Sequence, residues 1–104
     1  MHKEKLSQIE KRIEVIKREL QGIGEMRPGS LTCQYKDPAK KLGGSFQISY
    51  THQMKSRTEY VRPRFVKILK KQIAVHAKFR ELTQEWVALA IEHSKLKILI
   101  AIEK

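Results

Sequence analysis

Apolar residues return every three or four positions at the start of the chain. Leu6, Ile9, Ile13, Ile16, Leu20 and Ile23 form one such seam, with polar residues between them. This is the stripe of a coiled-coil-type helix, and it predicts a helix over residues 1–23. Gly22 and Gly24 supply its end, with Pro28 just beyond. Glu14 stands three and four positions before Lys17 and Arg18, a spacing that pairs charges along a helix surface.

A longer seam begins after Pro63, a residue suited to a first helical turn because its missing N–H has no partner there. Phe65, Ile68, Gln72, Val75, Phe79, Leu82, Trp86, Leu89, His93, Leu96 and Ile100 follow in steps of three or four, and neither Gly nor Pro interrupts residues 64–104. The pattern predicts one long helix over 63–102. The isoleucine-rich tail KLKILIAIEK leaves a short terminal strand as an alternative, and a break near residue 92 as another.

Between the helices the period changes to two. SLTCQY, SFQISYT and SRTEYV alternate, or are rich in β-branched and aromatic residues, and predict three strands within residues 29–61. In the middle segment Phe46, Ile48 and Tyr50 share one face and Gln47, Ser49 and Thr51 the other. HQMK turns the second strand into the third, and KDPAKKLGG, with Pro38, Gly43 and Gly44, reads as a loop. The expected architecture is α+β in a single domain over 1–104: an N-terminal helix, a small three-stranded antiparallel sheet and a long C-terminal helix, the two helices pairing as an antiparallel coiled-coil-like hairpin.

Helix lengths sharpen this picture. At about 1.5 Å per residue the first helix spans about 35 Å and the second about 60 Å. If both leave the sheet at the same end, the first covers only the near half of the second. Trp86, Leu89, Leu96, Leu99 and Ile100 would then face water. Self-association, most simply as a two-fold dimer, is the economical remedy. The expected oligomerisation residues are Trp86, Leu89, His93, Leu96 and Ile100, with His93 fixing register or meeting its symmetry mate.

The 104 residues contain 22 Lys and Arg against 11 Asp and Glu, a formal net charge of +11. Such an excess repels itself unless a polyanion relieves it, and nucleic acid is the first candidate ahead of acidic membrane or acidic protein. The bases cluster. From Arg62 to Arg80 there are seven, Arg62, Arg64, Lys67, Lys70, Lys71, Lys78 and Arg80, without an acid. Arg64, Lys67 and Lys71 recur at three and four and share a helical face. Lys40, Lys41, Lys55 and Arg57 lie on the loop and hairpin that feed it. A β-ribbon fits the major groove of B-DNA. In that arrangement Gln47, Ser49, Thr51 and Arg57 meet bases while Arg62, Arg64, Lys67, Lys70 and Lys71 hold phosphates.

Other chemistry has little support. The single cysteine, Cys33, cannot form an intramolecular disulfide, which fits a reducing cytoplasm. No Cys or His pair has C-x-x-C or H-x-x-x-H spacing, no Gly-rich phosphate loop is present, and Cys33 reads as a packing residue. The sequence therefore predicts no enzyme, no metal and no cofactor. Without a run of about 18 apolar residues it predicts no membrane span, and no apolar segment follows the basic start as a secretory signal would.

The segments MRPGSLTCQY, SYTHQMKSRTEYVRP and KFRELTQEWVALA resemble an uncharacterised family of small bacterial proteins, many of which accompany transposase genes. The resemblance spans roughly residues 27–97 and rests on G-S-L-x-x-x-Y, R-T-x-Y-V and F-R-E-L. It implies an accessory role beside a mobile element. The family places a C-G-K-x-x-C-type knuckle after its first strand. Here that segment reads KDPAKK and lacks those ligands. The leading expectation is a cytoplasmic, non-enzymatic protein that binds DNA or RNA and forms a homodimer or joins a larger assembly. The alternative is a protein–protein adaptor that docks through its seams and apolar C-terminal helix.

Overall fold

The computed structural model describes residues 1–37, 39 and 42–103. The elements follow in the expected order: α1 (His2–Gln21), β1 (Ser30–Asp37), β2 (Leu42–His52), β3 (Lys55–Val61), a single 3-10 turn (Pro63–Phe65) and α2 (Val66–Glu103). The architecture is α+β, and the isoleucine-rich tail is helical. Among the described residues no helix is long and apolar enough to cross a membrane. The chain divides into two compact units, one of residues 1–23 with 78–104 and one of residues 24–77.

In the first unit α1 lies antiparallel to the distal part of α2. The ends of the pair fix the direction: His2 meets Glu103 at 3.1 Å, while Lys5 meets Glu92 at 3.0 Å and Glu10 meets His93 at 3.2 Å further along. Arg12 grips Glu85 with two hydrogen bonds of 2.5 and 2.8 Å. Ile9 and Ile16 of α1 and Leu82 and Leu96 of α2 are buried between them. This corrects the expectation that α1 covers the near half of α2. Within the second unit the residues that follow α1 lie against the early turns of α2. The Arg27 N–H donates to the Gln72 carbonyl at 3.1 Å, and the Gln72 side chain donates to Glu25 at 3.3 Å.

The oligomerisation argument changes with it. Leu96 is only 7% exposed, Trp86, His93 and Ile100 are half-buried beside the chain's own first helix, and Leu89 is half-buried as well. Of the five side chains expected to face water, Leu99 alone is exposed. His93 finds its partner in Glu10 of the same chain. The apolar surface left in water lies elsewhere on α2. Val87, Ile91, Ile98 and Ile102 are exposed, and at 100° per residue they fall on the side nearly opposite the seam.

The second unit is built on an antiparallel sheet in the order β1-β2-β3. Strands β1 and β2 extend further than expected, and Gly43 and Gly44 lie in β2 rather than in a loop. Gln53 and Met54 form the two-residue turn between β2 and β3, both at positive φ (52° and 65°). Two positive φ values match the right-handed twist of a hairpin. Gly29 carries φ 142° and presses on β2 so closely that a Cβ would lie 2.9 Å from Ile48 Cγ1 and 3.0 Å from the Ser49 carbonyl. Glycine is required here on both counts. Ile48, fully buried, and Val61 anchor the covered face. Cys33 stands half-buried in the row Cys33–Phe46–Val61.

Candidate nucleic-acid interface

The charge is unevenly placed. Residues 24–77 hold eleven Lys and Arg against three Asp and Glu, and so carry eight of the eleven net positive charges. The burial pattern of the first turns of α2 aims them. Val66, Leu69, Gln72, Ile73 and His76 are half-buried, whereas Arg64, Lys67 and Lys71 are exposed on the reverse side. Helical spacing creates this division, since steps of three and four keep each set on its own face. Lys70 flanks the basic face, and Arg62 precedes it in an extended conformation. Among the described residues Lys55, Arg57, Arg62, Arg64, Lys67, Lys70 and Lys71 form no salt bridge. Lys40 and Lys41, expected to extend the patch, lie outside the described residues.

The sheet register separates residues that the sequence reading brought together. Thr32, Gln47 and Tyr60 form one row across the three strands, and Ser30, Ser49 and Thr58 form the next. These are uncharged hydroxyl, amide and phenol side chains on the open face. The Ser49 and Thr58 hydroxyls bond to each other at 3.2 Å, and those of Thr51 and Ser56 at 3.3 Å. Arg57 instead pairs with Tyr50, so it belongs to the face of Ile48. Gln47 and Arg57 therefore point to opposite sides of the sheet. A base-reading ribbon containing both is corrected by the two-residue period of the strand, since the register shows Arg57 in step with Tyr50 and out of step with Gln47.

Arg27 ties this sheet to α2. Besides its backbone bond to Gln72, its guanidinium meets Glu59 at 2.5 Å and lies 5.3 Å from the centre of the Tyr50 ring. Tyr50 donates to the other Glu59 oxygen at 3.0 Å. Hydrogen bonding from Arg27 first, and from Tyr50 second, lowers the Glu59 pKa below its ordinary value and keeps the carboxylate ionised. The sequence reading missed Arg27 because nothing local marks a residue whose partners lie 32 and 45 positions away.

Beside this cluster the end of β3, the 3-10 turn and the start of α2 enclose an open concavity of about 420 Å³. Tyr60, Phe65 and Ile68 stand on it, 64%, 43% and 54% exposed. Phe65 and Ile68 were expected to open the buried seam of the long helix. Both are exposed instead. Arg64 places its guanidinium 4.8 Å from the centre of the Phe65 ring. The signal in the sequence was the alternation YVRPRF, in which aromatic and basic residues interleave. Comparison with protein-family models, with curated proteins and with solved structures returns no match.

Proposed function

We propose that the chain binds nucleic acid, without catalysing a reaction, through the basic face of α2 and the arginines that lead into it. Arg64, Lys67 and Lys71 are the central phosphate contacts, with Arg62 and Lys70 beside them and Lys55 and Arg57 on the neighbouring hairpin. One observation carries the reading: seven described bases of one compact unit are exposed and form no salt bridge, in a unit that sets eleven Lys and Arg against three Asp and Glu. Unpaired exposed cations gain most from releasing the counterions of a polyanion. A role beside a mobile element follows from the resemblance of the G-S-L-x-x-x-Y, R-T-x-Y-V and F-R-E-L segments, and a cytoplasmic setting from the single cysteine; both belong to the same proposal.

The test is a salt series of binding to labelled duplex DNA, single-stranded DNA and RNA. Five phosphate contacts predict a log–log slope of about −4 to −5 on duplex. Replacing Arg64, Lys67 and Lys71 by Glu should remove binding. A flat response to salt, or full binding by the reversed variant, would refute the proposal.

A second reading has its own observation. Val87, Ile91, Ile98 and Ile102 expose an apolar stripe of a kind that often marks a protein contact, a second copy or another chain. Sedimentation of the wild type and of Ile91→Asp with Ile98→Asp tests it. A concentration-dependent dimer that the paired substitution dissolves would support self-association through this stripe. A monomer at every concentration would refute self-association.

A further inference from the structure

We infer that the concavity between β3, the 3-10 turn and α2 takes an unpaired nucleobase, so that the preferred ligand is a single strand; this rests on the nucleic-acid binding proposed above. Three large side chains with apolar surface, Tyr60, Phe65 and Ile68, remain in water around one opening. In the same unit the fully buried Ile48 shows that apolar surface is hidden where the fold can hide it. The opening lies at the small end of the range for ligand sites, which runs from about 300 to 1,000 Å³.

What surrounds those side chains identifies the occupant. Arg62 lines the opening, and Arg64 already lies across the Phe65 ring. Aromatic rings interleaved with guanidinium groups provide stacking surfaces for bases and positive charge for the phosphates between them. Glu59 and Gln72 add polar groups to the lining. Glu59 spends one contact on each carboxylate oxygen, to Arg27 and to Tyr50, and a carboxylate has about four acceptor sites. It can therefore still accept from a base amino group.

A base in a duplex is stacked above and below and cannot reach the Phe65 ring without being extruded. An unpaired base meets no such barrier.

The experiment compares three labelled ligands of equal length on the full chain: oligothymidylate, an abasic phosphodiester strand and a DNA duplex. The expected result is that oligothymidylate binds about tenfold or more tightly than the abasic strand, which keeps the phosphates and lacks the bases. Tyr60→Ser with Phe65→Ser should erase that difference and leave abasic binding as it was. Both positions are exposed, and an unchanged melting curve confirms that the variant folds. Equal binding of the intact and abasic strands overturns the inference and spares the phosphate contacts. So does a stronger duplex, or a double variant that keeps the difference. Failure to bind any of the three removes the nucleic-acid reading and this inference together.

Discussion

Residues 1–23 and 78–104 contain eleven Lys and Arg among eight Asp and Glu, and residues 24–77 contain eleven among three. In the helical unit three bases meet carboxylates: Lys5 with Glu92, Arg12 with Glu85 and Lys17 with Glu14. Lys17 also lies 5.5 Å from the Trp86 ring centre. In the β unit Arg27 pairs with Glu59, while the bases from Lys55 to Lys71 stay unpaired among the described residues. Lys5 and Arg12 link the two helices of the helical unit, while the β unit, with three acids for eleven bases, carries most of the charge left for a partner to neutralise. Composition alone reports only the sum. The distinction lies in where the acids fall.

Substitution of the buried seam should produce the largest effect. Leu96→Asp places an unpaired carboxylate at a site 7% exposed and should cost roughly 4 kcal/mol of stability. Reversal of Arg64, Lys67 and Lys71 to Glu, at exposed positions, should leave stability within about 0.5 kcal/mol while removing nucleic-acid binding. Chemical denaturation of both variants beside binding curves tests the division of labour. A reversed variant that unfolds would mean that those bases also hold the fold, and the contrast would collapse.

Gly29→Ala comes next. The added methyl meets Ile48 and the Ser49 carbonyl, and alanine is strained at φ 142°. A loss of about 2 kcal/mol is expected, seen as a lower denaturation midpoint with little change in slope. A neutral result would show that the connector can retreat from β2. Met54→Gly works in the opposite direction. Met54 is almost wholly exposed at φ 65°, so glycine there should gain about 1 kcal/mol by relieving the left-handed backbone.

The fold was legible where its signal is periodic. Steps of three and four from Leu6 to Ile23, and alternation in SFQISYT, needed no knowledge of partners. The pairing of helices was legible in kind and wrong in position. Periodicity says which side of α1 is sticky, but not which stretch of α2 it meets; pairs such as Arg12 with Glu85 and Glu10 with His93 decide that. Leu96 is buried in the helical unit, while Phe65 stays exposed in the β unit. The basic face of α2 could be read from Arg64, Lys67 and Lys71 because three and four are local spacings. The split between Gln47 and Arg57 could not, because it depends on the register across the β2–β3 turn.

The smallest effect bears most directly on how charge is used in the helical unit. Hydrogen bonds from Arg12 hold the Glu85 carboxyl below its ordinary pKa, and the pair holds Arg12 above its own. For a carboxylate whose folded pKa is depressed, the stabilisation is present above the unfolded value and is lost as pH falls through the folded one. Glu85→Gln should therefore lower the melting temperature slightly at neutral pH, and the gap from wild type should close in acid below the usual carboxylate range. Added salt should narrow the same gap, because both partners are partly exposed. Glu59→Gln should show the same acid dependence in the β unit, since Arg27 and Tyr50 depress that carboxyl in the same sense. The two variants part company in binding. Glu59→Gln removes a negative charge beside the proposed nucleobase cleft and releases Arg27, so it should tighten nucleic acid; Glu85→Gln should not. Equal tightening by both would mean that net charge alone drives association, and the contrast between paired and unpaired bases would lose its functional meaning.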